Sequence, residues 1–144
     1  MKMWALASKD AAGLGERERL HGNPVAVSGT VTGLFDGKWQ ETEPRHGGRR
    51  HNDQGPTAVI WLENGIRLVL NSLQTPPFSL GQLTSVGIDP TAARMIVVKA
   101  AVAFKAAYAP IAAEIIEVDT PGVTAVNPAR FTYHHIPRPM FPLQ

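Results

Sequence analysis

The sequence predicts an α+β fold: a β-hairpin-rich mixed sheet with two or so short helices, in a single domain. Two observations support this. Apolar runs of strand length end at Asp-Gly or Asn-Gly pairs, which are typical of hairpin turns. Helical spacing of apolar residues extends over short segments only, and prolines limit them. The 144 residues are enough for one domain with a sizeable core.

Composition narrows the class of protein. Fourteen Lys and Arg against twelve Asp and Glu give a formal charge of +2, too weak a field to indicate nucleic acid. There is no cysteine, which excludes disulfides and fits a reducing compartment. Lys99, Lys105 and Glu114 interrupt the longest apolar region, so we expect no membrane span. The apolar run near the start is too short for a signal peptide, so we expect a cytoplasmic location.

We expect residues 1–23 to be a lead-in segment, partly flexible, because they are rich in Gly and charge. Their apolar run, Met3 to Ala7, is too short for a signal peptide. The domain is then 24–144. Val25, Val27, Gly29 and Val31 alternate as in a half-buried strand, and Asp36-Gly37 predicts a first hairpin. Residues 40–55 lack periodicity and predict a long surface loop.

The stretch "TAVIWLENGIRLVLNS" is the clearest element of the sequence. Two apolar runs flank Asn64-Gly65, which predicts a hairpin over 57–71 with a type I′ turn. Phe78, Leu80, Leu83 and Val86 then recur at helical spacing, and Asp89-Pro90 can cap one further turn. "RMIVVK" predicts a buried strand. We expect this strand, 95–99, and the hairpin to form the centre of the sheet.

Residues 95–122 predict a strand, a short helix and a second strand. Pro110 should end the helix near Ala109, and "AEIIEVD" should form the second strand, followed by a type II turn at 120–123. The proline-rich tail should lie extended over the surface. The apolar residues of the unit predict core positions: Ile96, Val98, Phe104, Tyr108, Ile115, Ile116 and Val118.

Candidate ligands and catalytic groups are sparse. His46, His51 and Asp53 share the long loop, but no metal-binding motif accompanies them, and adjacent His134 and His135 would point apart in a strand. A basic group in the same loop is a candidate anion site, although a solvated charge cluster is the simpler interpretation: Arg45, Arg49 and Arg50. Of the carboxylates near the second strand, Glu117 and Asp119 would share one face and Glu114 the other. No residue is predicted to be catalytic or to bind a metal.

The strings "HGNP" (21–24), "GPTAV" (55–59), "GIDP" (87–90), "VVK" (97–99), "PIAAEIIEVDTPG" (110–122) and "RPMFP" (138–142) occur in order. In this order and spacing they resemble the C-terminal domain of the microcystin-degradation metallopeptidases, the MlrC type. The resemblance runs from about Gly13 to the last residue. It implies a zinc site on a separate N-terminal domain and no cofactor in this chain. The positions that match its motifs are His21, Gly22, Asp89, Lys99, Phe104, Asp119 and Arg138.

The chain also departs from the pattern of that family. Where members typically have a serine, a histidine and an arginine after the matching lysine, this chain has Ala100, Ala103 and Lys105. Where the family has "GGK" upstream of "HG", this chain has Leu14, Gly15 and Glu16. The resemblance therefore implies a domain that keeps the fold of the family and has lost polar side chains at some of the family's motif positions.

Three functions remain open from the sequence. The first is a non-catalytic MlrC-type domain that packs against a catalytic partner domain or a second copy of itself. The second is a small-anion or ligand-binding module that uses Lys99, His21 and the arginines of 45–51. The third, ranked last, is a residual hydrolase. We expect neither nucleic acid nor a membrane as a partner.

Overall fold

The computed structural model describes residues 3–8, 27–43, 47–120, 127–137 and 139–142. The chain divides into two units, one of Met1–Asp10 with Val25–Ile115 and the other of Ala11–Pro24 with Ile116–Gln144. The first unit holds a mixed sheet and short helices, which confirms the predicted fold class. None of the helices in the described residues is long and apolar enough to cross a membrane.

The described strands and helices are short. The strands are β1 (Met3–Ser8), β2 (Gly29–Phe35), β3 (Lys38–Gln40), β4 (His51–Asp53), β5 (Thr57–Leu62), β6 (Ile66–Asn71) and β7 (Met95–Val97). The α-helices are α1 (Gly81–Thr84) and α2 (Lys105–Tyr108), and 3-10 turns cover Pro90–Ala92, Ala109–Ile111 and Pro128–Arg130. Among these strands, five form one sheet in the order β2-β5-β6-β1-β7, and β3 pairs with β4 in a second sheet.

The hairpin of β5 and β6 is confirmed. The two strands pair antiparallel from Thr57 opposite Asn71 to Trp61 opposite Arg67. The turn is not type I′, however, because Gly65 has a φ of 82° while Asn64 does not have a positive φ. The Gly65 amide donates to the Leu62 carbonyl at 2.9 Å, and the Asn64 side chain accepts from the Ile66 amide at 3.2 Å. A three-residue loop with glycine in the left-handed region therefore connects the strands.

The first predicted hairpin is wrong. β2 pairs with β5, with a bulge between Val31 and Gly33, while β3 pairs with β4. The chain turns at Asp36-Gly37 from one sheet into the other. Gly37 has a φ of 74°, and a Cβ there would lie 1.9 Å from the Gly55 carbonyl oxygen, so only glycine fits this close approach.

The predicted loop over 40–55 is also corrected. Its ends are ordered, because β3 and β4 pair with Lys38 opposite Asp53 and Gln40 opposite His51. Asn52 and Gln54 are buried. The two ends of the segment thus form a two-stranded β-ribbon. No strand was predicted there because the sequence lacks alternating apolar residues.

A strand also lies within the segment that the sequence assigns to the lead-in. β1 pairs in parallel with β6 on one side and with β7 on the other, with Met3 opposite both Ile66 and Met95. The apolar run from Met3 to Ala7 was the only trace of it in the sequence. Its pairing partners lie far along the chain, which no local pattern records.

The core lies between one face of the sheet and the helices. Val59 and Val69 pack with Leu83 of α1 and with Phe104 and Tyr108 at α2, all of them buried. The predicted helix near 78–86 is confirmed, and the Asp89 side chain caps the turn Pro90–Ala92 by accepting from the Thr91 amide at 2.9 Å. α2 ends at Tyr108 and a 3-10 turn follows at Pro110, close to the predicted end.

The strand predicted at 95–99 exists, but it is neither buried nor central. β7 is at the edge of the sheet, and Met95 and Val97 are each 45% exposed, while Ile96 packs against the core. The second predicted strand does not form, since residues 112–120 have no regular structure. Its predicted core residues are exposed: Ile115, Ile116 and Val118.

Two further expectations concern the end of the chain. The type II turn at 120–123 falls mostly on residues outside the described ranges. Of the tail, the described part bends at 134–135 and turns at 141–142, so it is not uniformly extended. Phe141 is 94% exposed, in agreement with a surface location.

The burial pattern predicts opposite outcomes for two substitutions of the same kind. Val69→Asp should unfold the first unit, because Val69 is 0% exposed and an unpaired buried charge costs several kcal/mol against a total stability of about 5–15 kcal/mol. Val97→Asp should leave it folded, since that side chain is 45% exposed. Urea unfolding followed by circular dichroism measures both. A folded Val69→Asp variant would contradict the assigned core.

Candidate functional site

A largely buried polar group, which we call the Glu41 cluster, joins the second sheet to α1. It consists of Trp39, Glu41, Gln54, Ser79 and Gln82. The Trp39 indole donates to Glu41 Oε1 at 2.7 Å, and the Ser79 hydroxyl donates to the same oxygen. Ser79 Oγ in turn accepts from the Gly81 amide at 2.8 Å. One carboxylate thus fixes the ribbon to the start of the helix.

The two glutamines of the cluster are fully buried. Gln82 Oε1 accepts from the amides of Phe78 and Ser79 at 3.1 and 3.3 Å, and Gln54 Nε2 donates to the Gln82 carbonyl at 3.3 Å. Gln54 Oε1 and Gln82 Nε2 have no hydrogen-bond partner. Buried polar atoms are usually satisfied, and an ordered water is one way of satisfying such a pair.

The cluster contains a serine hydroxyl bonded to a carboxylate, which is part of the arrangement that activates a nucleophile. Burial argues against that role. Ser79 is 3% exposed, so a substrate has no access to its hydroxyl. Tyr108 closes the same region, with its hydroxyl donating to the Ser79 carbonyl at 3.4 Å. Burial raises the pKa of Tyr108 far above its usual range, so the phenol stays protonated and neutral. The cluster is therefore structural.

A pocket of about 330 Å³ lies at the β2 side of the sheet, and we call it the Trp61 pocket. Its lining comes from β2, β5, β6 and the turn after α1: Thr32, Gly33, Phe35, Val59, Trp61, Arg67, Val86, Gly87 and Ile88. The Arg67 guanidinium carbon lies 4.8 Å from the centroid of the Trp61 ring, a cation–π contact. The pocket therefore combines an apolar wall with one cationic group.

The family-motif positions described in the first unit differ in their surroundings. Asp89 caps its 3-10 turn and is exposed; hydrogen bonds from the Thr91 hydroxyl and amide lower its pKa below the usual 3.8. The stability that the ionised Asp89 carboxylate contributes is fully present above the usual pKa of 3.8, and it is lost as the pH falls through the lowered pKa. Lys99 is exposed after β7, and Phe104 is buried in the core. His21, Gly22 and Arg138 lie outside the described residues.

Asp119 belongs to the second unit, where it pairs with Arg130. Arg130 Nη2 lies 2.9 Å from Asp119 Oδ2, and Nε donates to the same oxygen at 3.1 Å. Nη2 also donates to the Asp119 carbonyl at 3.2 Å. Both side chains are more than a third exposed, so the pair contributes little to stability. Its effect is to tie the extended segment at Asp119 to the 3-10 turn Pro128–Arg130.

The predicted anion site is described in part. Arg49 and Arg50 are exposed just before β4, and Arg45 lies outside the described residues. The Arg50 backbone carbonyl accepts from the Glu41 amide at 2.7 Å, which closes the ribbon. Both arginines thus belong to the ribbon and are remote in sequence from Lys99, the other cation of the predicted anion-binding module.

The described residues do not form a metal site. Among them, no three His, Asp or Glu side chains come together in a way that could hold an ion. His51 and Asp53 lie on β4, His46 is outside the described residues, and the rings of His134 and His135 are 6.3 Å apart and tilted. Because 112–120 is not a strand, strand alternation does not place Glu117 and Asp119 on a common face.

Neither the Glu41 cluster nor the Trp61 pocket was predicted from the sequence. The cluster joins Glu41 to Ser79 and Gln54 to Gln82 across long intervals of the chain, and the pocket depends on strand register. One sequence signal pointed to part of the cluster. In "SLGQL", Ser79 and Gln82 are three residues apart at a helix start, the spacing of a capping box.

Fold and site together define a small α+β domain in which a buried polar cluster joins the second sheet to α1. A family model described as the MlrC C-terminus matches residues 11–135. The match covers most of the chain, which therefore belongs to the MlrC C-terminal domain family.

A solved structure has the same fold. It is the crystal structure of a candidate metallopeptidase from Mesorhizobium sp. BNC1, with a TM-score of 0.72 and 22% identity. The similarity covers 100% of this chain and 31% of that chain, so the present chain spans about a third of the length of that protein. At this identity the similarity shows the fold alone. No curated protein matches the sequence.

The Glu41 cluster predicts a stability effect at a partly exposed position. Glu41→Ala removes the acceptor of both Trp39 and Ser79, and leaving those buried donors unpaired should cost about 1–3 kcal/mol. Glu63→Ala, on the exposed loop of the hairpin, is the matched control and should change stability by no more than about 0.5 kcal/mol. Chemical denaturation measures both, and equal effects would show that the cluster does not stabilise the fold.

Proposed function

We propose that this chain acts as the C-terminal domain of an MlrC-type metallopeptidase system, is not catalytic by itself, and completes a substrate cleft or an assembly with a catalytic domain. The observation that carries the proposal is the family match over residues 11–135, to a family defined by the C-terminus of its members. The similar solved protein supports it, because most of that chain lies outside the matched region.

The positions where the chain departs from the family pattern support a non-catalytic role. Ala100 packs partly against the core, Ala103 is half-buried, and Phe104, directly before α2, is buried. An alanine side chain can neither ligate a metal nor transfer a proton. At these positions the chain therefore contributes apolar contacts, and any reacting groups must come from elsewhere.

Zinc, which the resemblance assigns to the N-terminal domain, does not fit the described residues. A catalytic zinc takes three protein ligands and an open position, and no such group of three is present among them. In the proposed system, the metal and its chemistry therefore belong to the catalytic domain. The proposal also includes a cytoplasmic location, which the absence of cysteine favours.

A second candidate function is supported by the Trp61 pocket. Its volume of about 330 Å³ is at the lower limit of small-molecule sites, and the positive charge of Arg67, which also contacts the Trp61 ring, favours a carboxylate or phosphate. This candidate is a small-anion-binding module. It uses Arg67 rather than the arginines of the ribbon, which line no part of this pocket.

The main proposal predicts the outcome of a metal and activity assay. Chain purified without a metal-affinity tag should retain no stoichiometric zinc through dialysis and should hydrolyse no short linear peptide, with or without added zinc. The variant Ala100→Ser/Ala103→His should also be inactive, because the ligand set is absent from this domain. One equivalent of retained zinc, with activity abolished by a chelator, would contradict the proposal.

The second candidate predicts stabilisation by anions. Phosphate or a small aromatic carboxylate at 100 times its Kd should raise the free energy of unfolding by about 2.7 kcal/mol, measured as a thermal shift. Arg67→Gln should abolish the shift, whereas Arg94→Gln, at an exposed position before β7, should preserve it. The absence of any shift across the anion panel would eliminate this candidate.

A further inference from the structure

The sheet of the first unit has apolar side chains on both faces. Val59, Val69 and Ile96 are on the face that packs against the helices. Strand residues alternate between faces, so the residues between them are on the other side. We call that side the second face; its residues are Val31, Leu34, Ala58, Ile60, Ile66, Leu68, Leu70, Met95 and Val97.

Strand register makes the second face continuous. Val31 is opposite Ile60, and Ile60 is opposite Leu68. Leu68 is in register with Ala5 of β1, which is in register with Val97. One row therefore crosses the whole sheet from β2 to β7, and the residues named for the second face carry no polar side chain.

This face is exposed on its edge strands and half-buried at its centre, at Ala58, Ile60, Ile66, Leu68 and Leu70. Leu34 is 78% exposed, Val31 55% and Val97 45%, whereas Val59 is 4% and Val69 0% exposed. Strands whose residues are apolar on both faces are typical of sheets enclosed between two layers, and large exposed apolar patches mark interaction sites. The sheet therefore has the composition of one that is covered on both sides.

We propose that the second face is the surface on which the catalytic domain of an MlrC-type protein docks; this inference rests on the proposed function. The length of the similar solved chain indicates what covers the second face. The family model describes a C-terminus, and the matched region is 31% of the similar solved chain, so a larger part accompanies this fold in that protein.

The chain has no cysteine, so single cysteines can report on this surface. Leu34→Cys and Val97→Cys introduce a thiol at opposite ends of the second face, and Thr84→Cys introduces one at an exposed position of α1, in the helix layer. Each variant is labelled with a maleimide, alone and with the MlrC-type N-terminal domain encoded in the same genome, expressed separately. Circular dichroism verifies that each variant is folded.

We expect a complex in which labelling at positions 34 and 97 slows by about tenfold or more while labelling at position 84 is unchanged. We also expect Met95→Glu/Val97→Glu to weaken the complex by at least a similar factor, because a charge would be buried against an apolar partner.

The other outcomes separate the two proposals. If the two domains form a complex and positions 34 and 97 label at their original rates, the docking surface is wrong and the proposed function stands. If no complex forms, or the genome encodes no such domain, the proposed function itself fails. If the chain alone protects positions 34 and 97 and loses this protection on dilution, a second copy covers the face, and the docking proposal is overturned.

Discussion

The packing of Val59 and Val69 against the short helices is the interaction on which the rest of the first unit depends. α1 and α2 have four residues each, and isolated helices shorter than about 12–15 residues are marginal in water. They form because Leu83, Phe104 and Tyr108 bury their side chains on the sheet. The Glu41 cluster then attaches to a helix that the core already holds in place.

The sequence predicted what local chemistry determines. The β5–β6 hairpin, the cap at Asp89 and the helix end near Pro110 depend on residues close in sequence, and all three formed. Which strands pair with one another could not be predicted from the sequence. Asp36-Gly37 is a good turn, but its flanking strands pair with different neighbours, β2 with β5 and β3 with β4. The residues of "AEIIEVD" favour a strand, but a strand also needs a neighbouring strand to pair with, and this segment has no regular structure.

The same distinction applies to the functional residues. Phe104 was predicted as core because its spacing placed it on an apolar helical face, and it is buried. The second face could have been recognised from the continuous apolar runs of β5 and β6, which do not alternate as a half-exposed strand should. The Glu41 cluster could not, since a glutamate, a serine and two glutamines distant in sequence carry no shared pattern.

The parallel placement of β1 between β6 and β7 has a consequence for how the domain folds. β1 is synthesised before both of its neighbours, β6 and β7, and β7 is the last of the described strands. Pairings between residues distant in sequence raise the contact order and slow folding. The β5–β6 hairpin can form early, because its two strands are close in sequence. The sheet is complete only after β7 has been synthesised and has paired with β1. During translation, the edge of β1 that pairs with β7 is therefore the surface that remains open longest.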